Sequence, residues 1–182
     1  AAYLSKKERE AICQAGVRIG KQVDYSCAGT VEFLMDAKSR EFFFIEVNPR
    51  VQVEHTVTEE ITGIDIVKAQ FLLASGAKIG DGICGVPEQQ DIKMKGHAIQ
   101  SRVTTEDAAN DFAPDYGKIS VYRSASGHGI RLDAGTAATG TVITPYYDSL
   151  LVKVSAKGQS PVEAKQRMDR ALREFRVRGV KT

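Results

Sequence analysis

The segment 40–59 constrains the fold most strongly, because a continuous apolar run within it passes directly into a run of alternating polar residues. The apolar run is Phe42-Phe43-Phe44-Ile45, and the alternating run is Glu46-Val47-Asn48-Pro49-Arg50-Val51-Gln52-Val53-Glu54. A continuous apolar run predicts a strand that is covered on both faces. Side chains alternate between two faces in an extended chain, so we expect the polar residues to share one face at the edge of a buried sheet.

An antiparallel strand with one face in water alternates in the same way, and this is the main alternative. The polar set of this segment is chemically selective, however. Over the alternating run, residues 46–54, it combines carboxylates, amides and a guanidinium, and it contains no Lys, Ser or Thr. Such a set is typical of sites that bind metal ions and oxyanions.

A second strand precedes this segment and supplies another carboxylate. Residues 29–35 have the apolar and β-branched content of a strand, and residues 36–40 have the composition of a turn. A hairpin centred near Lys38 places Glu32 opposite Glu46, or within about one residue of it. Two facing carboxylates repel each other unless a cation lies between them, and with Asn48 beside them they suit Mg²⁺. A hairpin whose two glutamates splay into water fits the same spacing.

These residues resemble the end of the ATP-grasp domain of biotin carboxylases. The match runs from Glu32 through Phe44-Ile-Glu46-Val-Asn48-Pro-Arg50-Val-Gln52-Val-Glu54-His55, Gly96-His-Ala-Ile-Gln-Ser-Arg102 and Pro145-Tyr-Tyr-Asp148-Ser149 to Arg173-Glu-Phe-Arg-Val-Arg-Gly179. It covers nearly the whole chain. Further details resemble the pyruvate carboxylase branch more than the acetyl-CoA or propionyl-CoA carboxylases, namely Thr104-Thr-Glu-Asp107, Asp115-Tyr-Gly-Lys118 and Tyr122-Arg-Ser124.

The chain is predicted to have an α/β (α+β) fold in two parts. The resemblance implies the end of an ATP-grasp domain over residues 1–76, a connector over 77–95, and a small mixed-sheet biotin carboxylase C-terminal domain over 96–182. In the first part, a capping box at Ser5 starts a helix that runs to about Gly20, and residues 64–76 suggest a buried helix. The second part consists of short strands and a closing helix that starts with Ser160-Pro-Val-Glu163. Because the sequence begins without Met, we expect it to be part of a longer protein.

Composition excludes several other classes of protein. The formal net charge is only +2, and the basic residues are dispersed among acidic ones, so nucleic-acid binding is not indicated. No apolar run is long enough for a membrane span, and no secretory signal is present. The cysteines, Cys13, Cys27 and Cys84, lack paired spacing and suggest reduced thiols. Reduced thiols are typical of an intracellular protein, and the resemblance to biotin carboxylases implies a bacterial cytoplasm or a mitochondrial matrix.

The resemblance implies a two-step reaction in which MgATP activates bicarbonate and biotin then accepts the carboxyl group. It assigns Glu32, Glu46 and Asn48 to Mg²⁺ or Mn²⁺, Arg50 to a clamp on bicarbonate, Gln52 and the Val53 backbone to neighbouring bicarbonate contacts, and Glu54 to the general base. A guanidinium fork suits a planar oxyanion better than Lys does. Without the motif, Arg50 and Glu54 would indicate only a surface ion pair.

In the second part, the resemblance gives Arg102 the task of stabilising the anion that forms on biotin when it loses a proton, and Asp148 is a candidate for orienting it. Arg176 and Arg178 resemble part of an allosteric acyl-CoA site, although cations that complement a helix dipole would look the same. His128 departs from the pattern, because the family usually has Phe there, near the carboxylase dimer interface.

The glycine-rich lid and the lysines that contact ATP in the family have no counterpart in this sequence, nor does the biotin attachment motif. We therefore predict that the isolated chain is inactive. The resemblance implies that the chain works as part of a parent polypeptide that forms a homo-oligomer, and that its partners are ATP, bicarbonate and a biotin carrier domain. Neither nucleic acid nor a membrane is expected as a partner. The alternatives are an acetyl-CoA or propionyl-CoA carboxylase subunit, more remotely carbamoyl phosphate synthetase, and a non-enzymatic α/β interaction module.

Overall fold

The structure is a computed structural model that describes residues 3–135 and 137–182. The helices are α1 (Lys6–Gln22), α2 (His55–Thr62), α3 (Ile66–Ala74) and α4 (Pro161–Glu174), with a 3₁₀ turn at Gln89–Asp91. The strands are β1 (Thr30–Met35), β2 (Phe42–Asn48), β3 (His97–Thr104), β4 (Glu106–Asp107), β5 (Ala113–Pro114), β6 (Gly117–Lys118), β7 (Val121–Arg123), β8 (Ile130–Ala134), β9 (Val142–Ile143), β10 (Leu150–Gly158) and β11 (Arg176–Arg178).

The chain divides into two compact units. The first consists of Ala1–His55 with Thr62–Lys93, and the second of Thr56–Ile61 with Met94–Thr182. Most of α2 therefore belongs to the second unit, although the helix follows the hairpin strands of the first unit in sequence. No helix within residues 3–135 and 137–182 has the length and apolar content that crossing a bilayer requires.

The predicted hairpin is confirmed. Strands β1 and β2 pair antiparallel, and Glu32 lies directly opposite Glu46. A β-bulge follows this pair, because the register shifts between Glu32 and Phe33 and leaves Ile45 as the extra residue of β2. The turn is closed by the Asp36 carboxylate, which accepts the backbone N–H groups of the two residues that follow Ala37 at 2.8 and 2.6 Å.

Helix α1 is capped as its sequence predicts, and it is tied to the hairpin. The Ser5 hydroxyl accepts the Glu8 backbone N–H, and the Glu8 carboxylate accepts that of Ser5. Arg40 then donates from Nε and Nη2 to the two carboxylate oxygens of Glu8, at 2.7 and 2.9 Å. Arg40 holds a positive φ of 63°, which a non-glycine residue adopts at some energetic cost. The bidentate ion pair between Arg40 and Glu8 joins the start of α1 to the hairpin turn.

Two burial predictions for the first unit are wrong. The apolar run of β2 was expected to be covered on both faces, but Phe43, Phe44 and Ile45 are 54%, 56% and 52% exposed. Helix α3 was expected to be buried, but Phe71 is 71% exposed and only Ala69 is buried. A two-stranded hairpin with short helices is too small to enclose both faces of a strand. Apolar content therefore shows that these elements can pack against other segments. Among the described residues, no segment covers these side chains.

The core lies in the second unit, around strand β10. Among the described residues, β3, β10 and β8 form an antiparallel sheet with β10 in the centre. Strand β10 is buried on both faces, and its fully buried residues include Leu151, Val152, Val154 and Ala156. Helix α4 covers the sheet with Ala164, Met168 and Ala171, whereas Val162 and Leu172 of the same helix are exposed. Its Ser160 cap and N1 proline are confirmed.

The segment of α2 that belongs to the second unit is held to the sheet by polar groups. The buried Ser155 hydroxyl on β10 donates to the Thr56 hydroxyl at 2.9 Å. Arg131 on β8 donates to Glu59 at 2.7 Å and to both oxygens of Asp133 at 2.8 and 2.9 Å. These partners keep Arg131 charged, and they raise its pKa despite partial burial.

Leu151→Ala should lower the free energy of unfolding by about 3 kcal/mol, because Leu151 is fully buried and its loss leaves a cavity. Urea unfolding followed by circular dichroism measures the change. The matched control is Leu172→Ala on α4, which removes a 41% exposed side chain and should cost less than about 1 kcal/mol. Equal losses in the two variants would contradict this location of the core.

Arg40→Gln should return the pKa of Glu8 toward its ordinary value. That pKa is lowered from 4.5 to about 2, first by the hydrogen bonds from Arg40 and then by those from Ser5. Since the folded pKa lies below the unfolded one, the stabilisation is present above pH 4.5 and is lost as the pH falls toward 2. NMR titration of the Glu8 carboxyl measures the shift, with Lys38→Gln in the same turn as the control. An unchanged pKa in Arg40→Gln would show that the helix cap alone sets it.

Candidate metal and anion site

Two carboxylates and two amides meet at the end of the β1–β2 hairpin. The side-chain nitrogen of Asn48 donates to Glu32 Oε1 at 2.9 Å and to Glu46 Oε1 at 3.1 Å. Gln52 Nε2 donates to the same Glu32 oxygen at 3.0 Å. Glu32 is half-buried and Glu46 is exposed. The structure thus brings together four of the residues that the sequence singled out.

Local backbone features produce this arrangement. The register of the hairpin sets Glu32 against Glu46, and Asn48 follows Glu46 on the same side of β2. Strand β2 ends at Asn48, because Pro49 cannot donate to a sheet ladder and the Arg50 N–H bonds back to the Asn48 carbonyl at 2.8 Å. The expectation that the alternating residues as far as Glu54 share one face of an extended strand is therefore wrong. Gln52 reaches Glu32 because the loop folds back.

The other predicted residues of this segment lie in loop 49–54. Arg50 is exposed, and its guanidinium donates to the Val51 carbonyl at 3.3 Å. Val53 is half-buried in the turn before α2, and Glu54 is exposed immediately before the helix begins at His55. Within the described part of the chain, Arg50 and Glu54 do not form the surface ion pair that their spacing alone would suggest.

The donor set of this cluster fits a hard divalent cation. It offers carboxylate oxygens from Glu32 and Glu46 and an amide group from Asn48, which are the ligand types that Mg²⁺ and Mn²⁺ prefer. The amide nitrogen that lies between the two carboxylates already reduces their mutual repulsion. Among the described residues no group of three or more His, Cys, Asp or Glu side chains is placed to hold a metal ion.

A separate cavity in the second unit brings Arg102 and Asp148 together. Its volume is about 380 Å³, and it is lined by Arg102, Thr104, Glu106, Asp148, Ser149 and Leu150. Arg102 lies on β3, and both Arg102 and Asp148 are exposed. Glu106 was not identified from the sequence. The sequence does contain a pattern that could have identified it. Arg102, Thr104 and Glu106 are spaced by two residues, which places all three on one face of an extended segment.

Arg176 and Arg178 lie on β11, which pairs with β7. Both arginines are exposed, and Val177 between them is buried. Arg176 lies directly opposite Arg123, a third arginine that the sequence analysis missed. Facing like charges are destabilising unless a counter-charge lies near them. His128 is exposed between Gly127 and Gly129, both of which have positive φ angles of 107° and 76°.

Two protein-family models match the chain. The model described as "Carbamoyl-phosphate synthase L chain, ATP binding domain" matches residues 1–81, and that described as "Biotin carboxylase C-terminal domain" matches residues 100–182. Over residues 100–182 the chain thus matches the family of biotin carboxylase C-terminal domains. The resemblance and the mixed α/β fold expected from the sequence are both confirmed. The ATP-binding model accounts for the similarity to carbamoyl phosphate synthetase that the first part of the sequence shows.

The curated relatives that resemble this chain include several pyruvate carboxylases. It is 57% identical over 179 residues to that of Bacillus subtilis, covering 98% of this chain and 15% of the relative. It is 55% identical to that of Staphylococcus aureus, with the same coverages of 98% and 15%, and 52% identical to that of Aspergillus niger, with coverages of 96% and 14%. The chain thus spans about 15% of the length of these relatives.

Solved structures of related carboxylases have the same fold. Rhizobium etli pyruvate carboxylase with the allosteric activator acetyl coenzyme-A has a TM-score of 0.96 and 60% identity, covering 98% of this chain and 18% of that one. The biotin carboxylase domain dimer of Hydrogenobacter thermophilus 2-oxoglutarate carboxylase, in complex with MgADP, ADP and bicarbonate, has a TM-score of 0.91 and 40% identity, with coverages of 98% and 38%.

Glu46→Gln should weaken Mn²⁺ binding by at least about tenfold, because it removes one of the facing carboxylate charges. Electron paramagnetic resonance of free Mn²⁺ during a titration gives the affinity. Glu41→Gln is the matched control, since Glu41 is an exposed glutamate immediately before β2. If both variants bind Mn²⁺ as the wild type does, the carboxylate cluster is not a metal site.

Proposed function

We propose that the chain forms the end of the ATP-grasp domain and the C-terminal domain of the biotin carboxylase part of a pyruvate carboxylase. Its activity would be ATP- and bicarbonate-dependent carboxylation of biotin, which feeds the conversion of pyruvate to oxaloacetate. The observation that carries the proposal is the cluster of Glu32, Glu46 and Asn48 beside loop 49–54. The identity to pyruvate carboxylases across nearly the whole chain supports it.

Glu32, Glu46 and Asn48 would hold Mg²⁺ or Mn²⁺. When bound, the cation supplies positive charge that neutralises the oxygens of the nucleotide phosphates. The two glutamates keep their facing positions through the hairpin register, so their charges lie in place before a cation and a nucleotide arrive. Asn48 separates the two charges through hydrogen bonds.

Loop 49–54 would bind and activate bicarbonate. The exposed Arg50 guanidinium offers parallel N–H donors that match two oxygens of a planar oxyanion. The Gln52 side chain and the Val53 backbone would provide neighbouring contacts to bicarbonate from the same loop. Glu54 would accept the bicarbonate proton as the general base, so that a bicarbonate oxygen can attack the γ-phosphate of ATP. The bond between the γ-phosphorus and the β-phosphate oxygen breaks, which gives carboxyphosphate and ADP. Arg50 would meanwhile keep the anion in place.

The cavity at Arg102 would bind biotin. The bound biotin supplies the nitrogen that takes up the carboxyl group. Arg102 would stabilise negative charge on an oxygen in the cavity, and a fixed cation is effective for this purpose. Asp148 and Glu106 line the same cavity, and Asp148 would orient the guanidinium. The cavity combines these polar and charged groups with the apolar Leu150, and a few polar groups of this kind can fix the orientation of a ligand.

Arg176 and Arg178 would contribute to an allosteric acyl-CoA site. The support is their exposed, alternating position on β11 and the facing Arg123, which together form a positively charged edge. Phosphate groups of a nucleotide-like ligand match such an edge. The simpler alternative is that these arginines complement the C-terminal end of α4.

The remaining proposals concern organisation and setting. The domain boundaries would be 1–76, 77–95 and 96–182. The chain would work within a longer polypeptide, with a biotin carrier domain and as a homo-oligomer, and the dimer described for the 2-oxoglutarate carboxylase domain supports the last point. The compartment would be a bacterial cytoplasm or a mitochondrial matrix, because the relatives are bacterial and fungal.

Glu54→Gln should reduce bicarbonate-dependent ATP hydrolysis by about 10²–10⁴-fold, which is the usual effect of losing a general base. The assay uses the full-length protein with Mg²⁺, bicarbonate and free biotin, and it follows phosphate release. Glu10→Gln on the exposed side of α1 is the control and should have normal turnover. Turnover that ignores bicarbonate in the wild type would reject the proposed function, and an active Glu54→Gln would reject the base.

The acceptor is tested separately, in the same protein. Pyruvate should support incorporation of labelled bicarbonate, whereas acetyl-CoA and propionyl-CoA should not act as acceptors. Carboxylation of an acyl-CoA instead of pyruvate would favour the acyl-CoA carboxylases. The isolated 182-residue chain should show no turnover, because it lacks the family's ATP-contacting lysines.

A further inference from the structure

The side chain of Gln52 links loop 49–54 to the hairpin. Its Nε2 donates to Glu32 Oε1 at 3.0 Å, across 20 positions of sequence. Both Gln52 and Glu32 are half-buried, so this bond is partly protected from water. Gln52 lies two residues after the exposed Arg50, in the same loop. One side chain therefore connects the segment that would meet an anion with a carboxylate that would meet a cation.

This bond determines which oxygen of Glu32 is available. Oε1 accepts two amide donors, from Gln52 and from Asn48 at 2.9 Å, and a carboxylate oxygen has two lone pairs. Oε2 accepts no hydrogen bond from any residue within 3–135 and 137–182. The two amides therefore set the rotation of the Glu32 carboxylate, and they direct its second oxygen toward a ligand.

The loop backbone has its own hydrogen bonds, which do not involve the Gln52 side chain. The Arg50 N–H donates to the Asn48 carbonyl at 2.8 Å, and the His55 N–H donates to the Gln52 carbonyl at 3.2 Å. The turn at each end of the loop is thus closed by main-chain groups. The Gln52 amide is not needed for either turn, so its bond to Glu32 serves to relate the loop to the carboxylate.

We propose that Gln52 is a positioning residue that couples the binding of a divalent cation at Glu32 to the binding of bicarbonate at Arg50. This inference rests on the proposed function and adds a role for Gln52 besides contact with bicarbonate. A cation that fixes Glu32 also fixes the acceptor of Gln52, and so it orders the loop that carries Arg50. Linkage makes the effect reciprocal, so bicarbonate must tighten cation binding by the same factor.

The coupling is measured with Mn²⁺ and bicarbonate on the full-length protein, without nucleotide. Free Mn²⁺ is followed by electron paramagnetic resonance during titrations with and without saturating bicarbonate. In the wild type we expect bicarbonate to tighten Mn²⁺ binding by about tenfold, which is within the usual range of coupling between two sites. Gln52→Met, which has a similar size and no N–H donor, should reduce this factor to about one.

Two further variants and one control complete the experiment. Gln52→Glu keeps size and polarity but lacks the donor, so it must also lose the coupling if Gln52→Met does not fold. Arg50→Met should abolish the bicarbonate effect, because it removes the anion contact. Gln89→Met replaces an exposed glutamine on the 3₁₀ turn and should keep the wild-type factor.

The outcomes separate this inference from the proposed function. If bicarbonate does not change the Mn²⁺ affinity of the wild type, although ATP turnover depends on bicarbonate, the coupling is wrong and the proposed function still stands. A tenfold factor retained in both Gln52→Met and Gln52→Glu would also overturn it. ATP turnover that ignores bicarbonate would reject the function itself. Loss of the factor in the Gln52 and Arg50 variants, with Gln89→Met unchanged, supports the inference.

Discussion

The repulsion between Glu32 and Glu46 is the constraint on which the candidate site depends. A hairpin with this register has to bring two carboxylates face to face, which is unfavourable without a compensating charge or donor. The Asn48 amide nitrogen supplies the compensation in the protein itself. The amide compensates the repulsion between the two carboxylates only in part, because it carries no net charge. The two carboxylates therefore still repel each other, and a cation between them would relieve that repulsion.

The second unit provides a different kind of stability. Strand β10 is buried on both faces and lies between β3 and β8, so its apolar residues form the centre of a packed core. Arg102 extends from β3 in this rigid sheet, whereas Arg50 and Glu54 lie in an exposed loop. The chain thus combines one candidate site on regular structure with another that includes a loop. Rigid elements position catalytic groups more accurately, and loops adapt to ligands.

Local patterns predicted the fold well, and longer-range features less well. The hairpin register followed from the strand composition around one turn, and the caps at Ser5 and Ser160 followed from short motifs. The exposure of Phe43 and Phe71 could not be predicted, because burial depends on what other segments cover. The end of β2 at Asn48 was missed even though Pro49 signalled it. The hydrogen bond from Gln52 to Glu32 depends on how a loop folds back, and no sequence period encodes that.

The β-bulge at Ile45 has a consequence for how this hairpin tolerates change. It lies between the Glu32–Glu46 pair and the turn, so the ladder has one register on the site side and another on the turn side. The facing glutamates are thereby partly insulated from the length of the turn. A change in the length of the turn around Lys38 therefore need not alter the pairing of Glu32 with Glu46. Variation in loop length among relatives, or an inserted tag, is compatible with an unchanged site at this point of the chain.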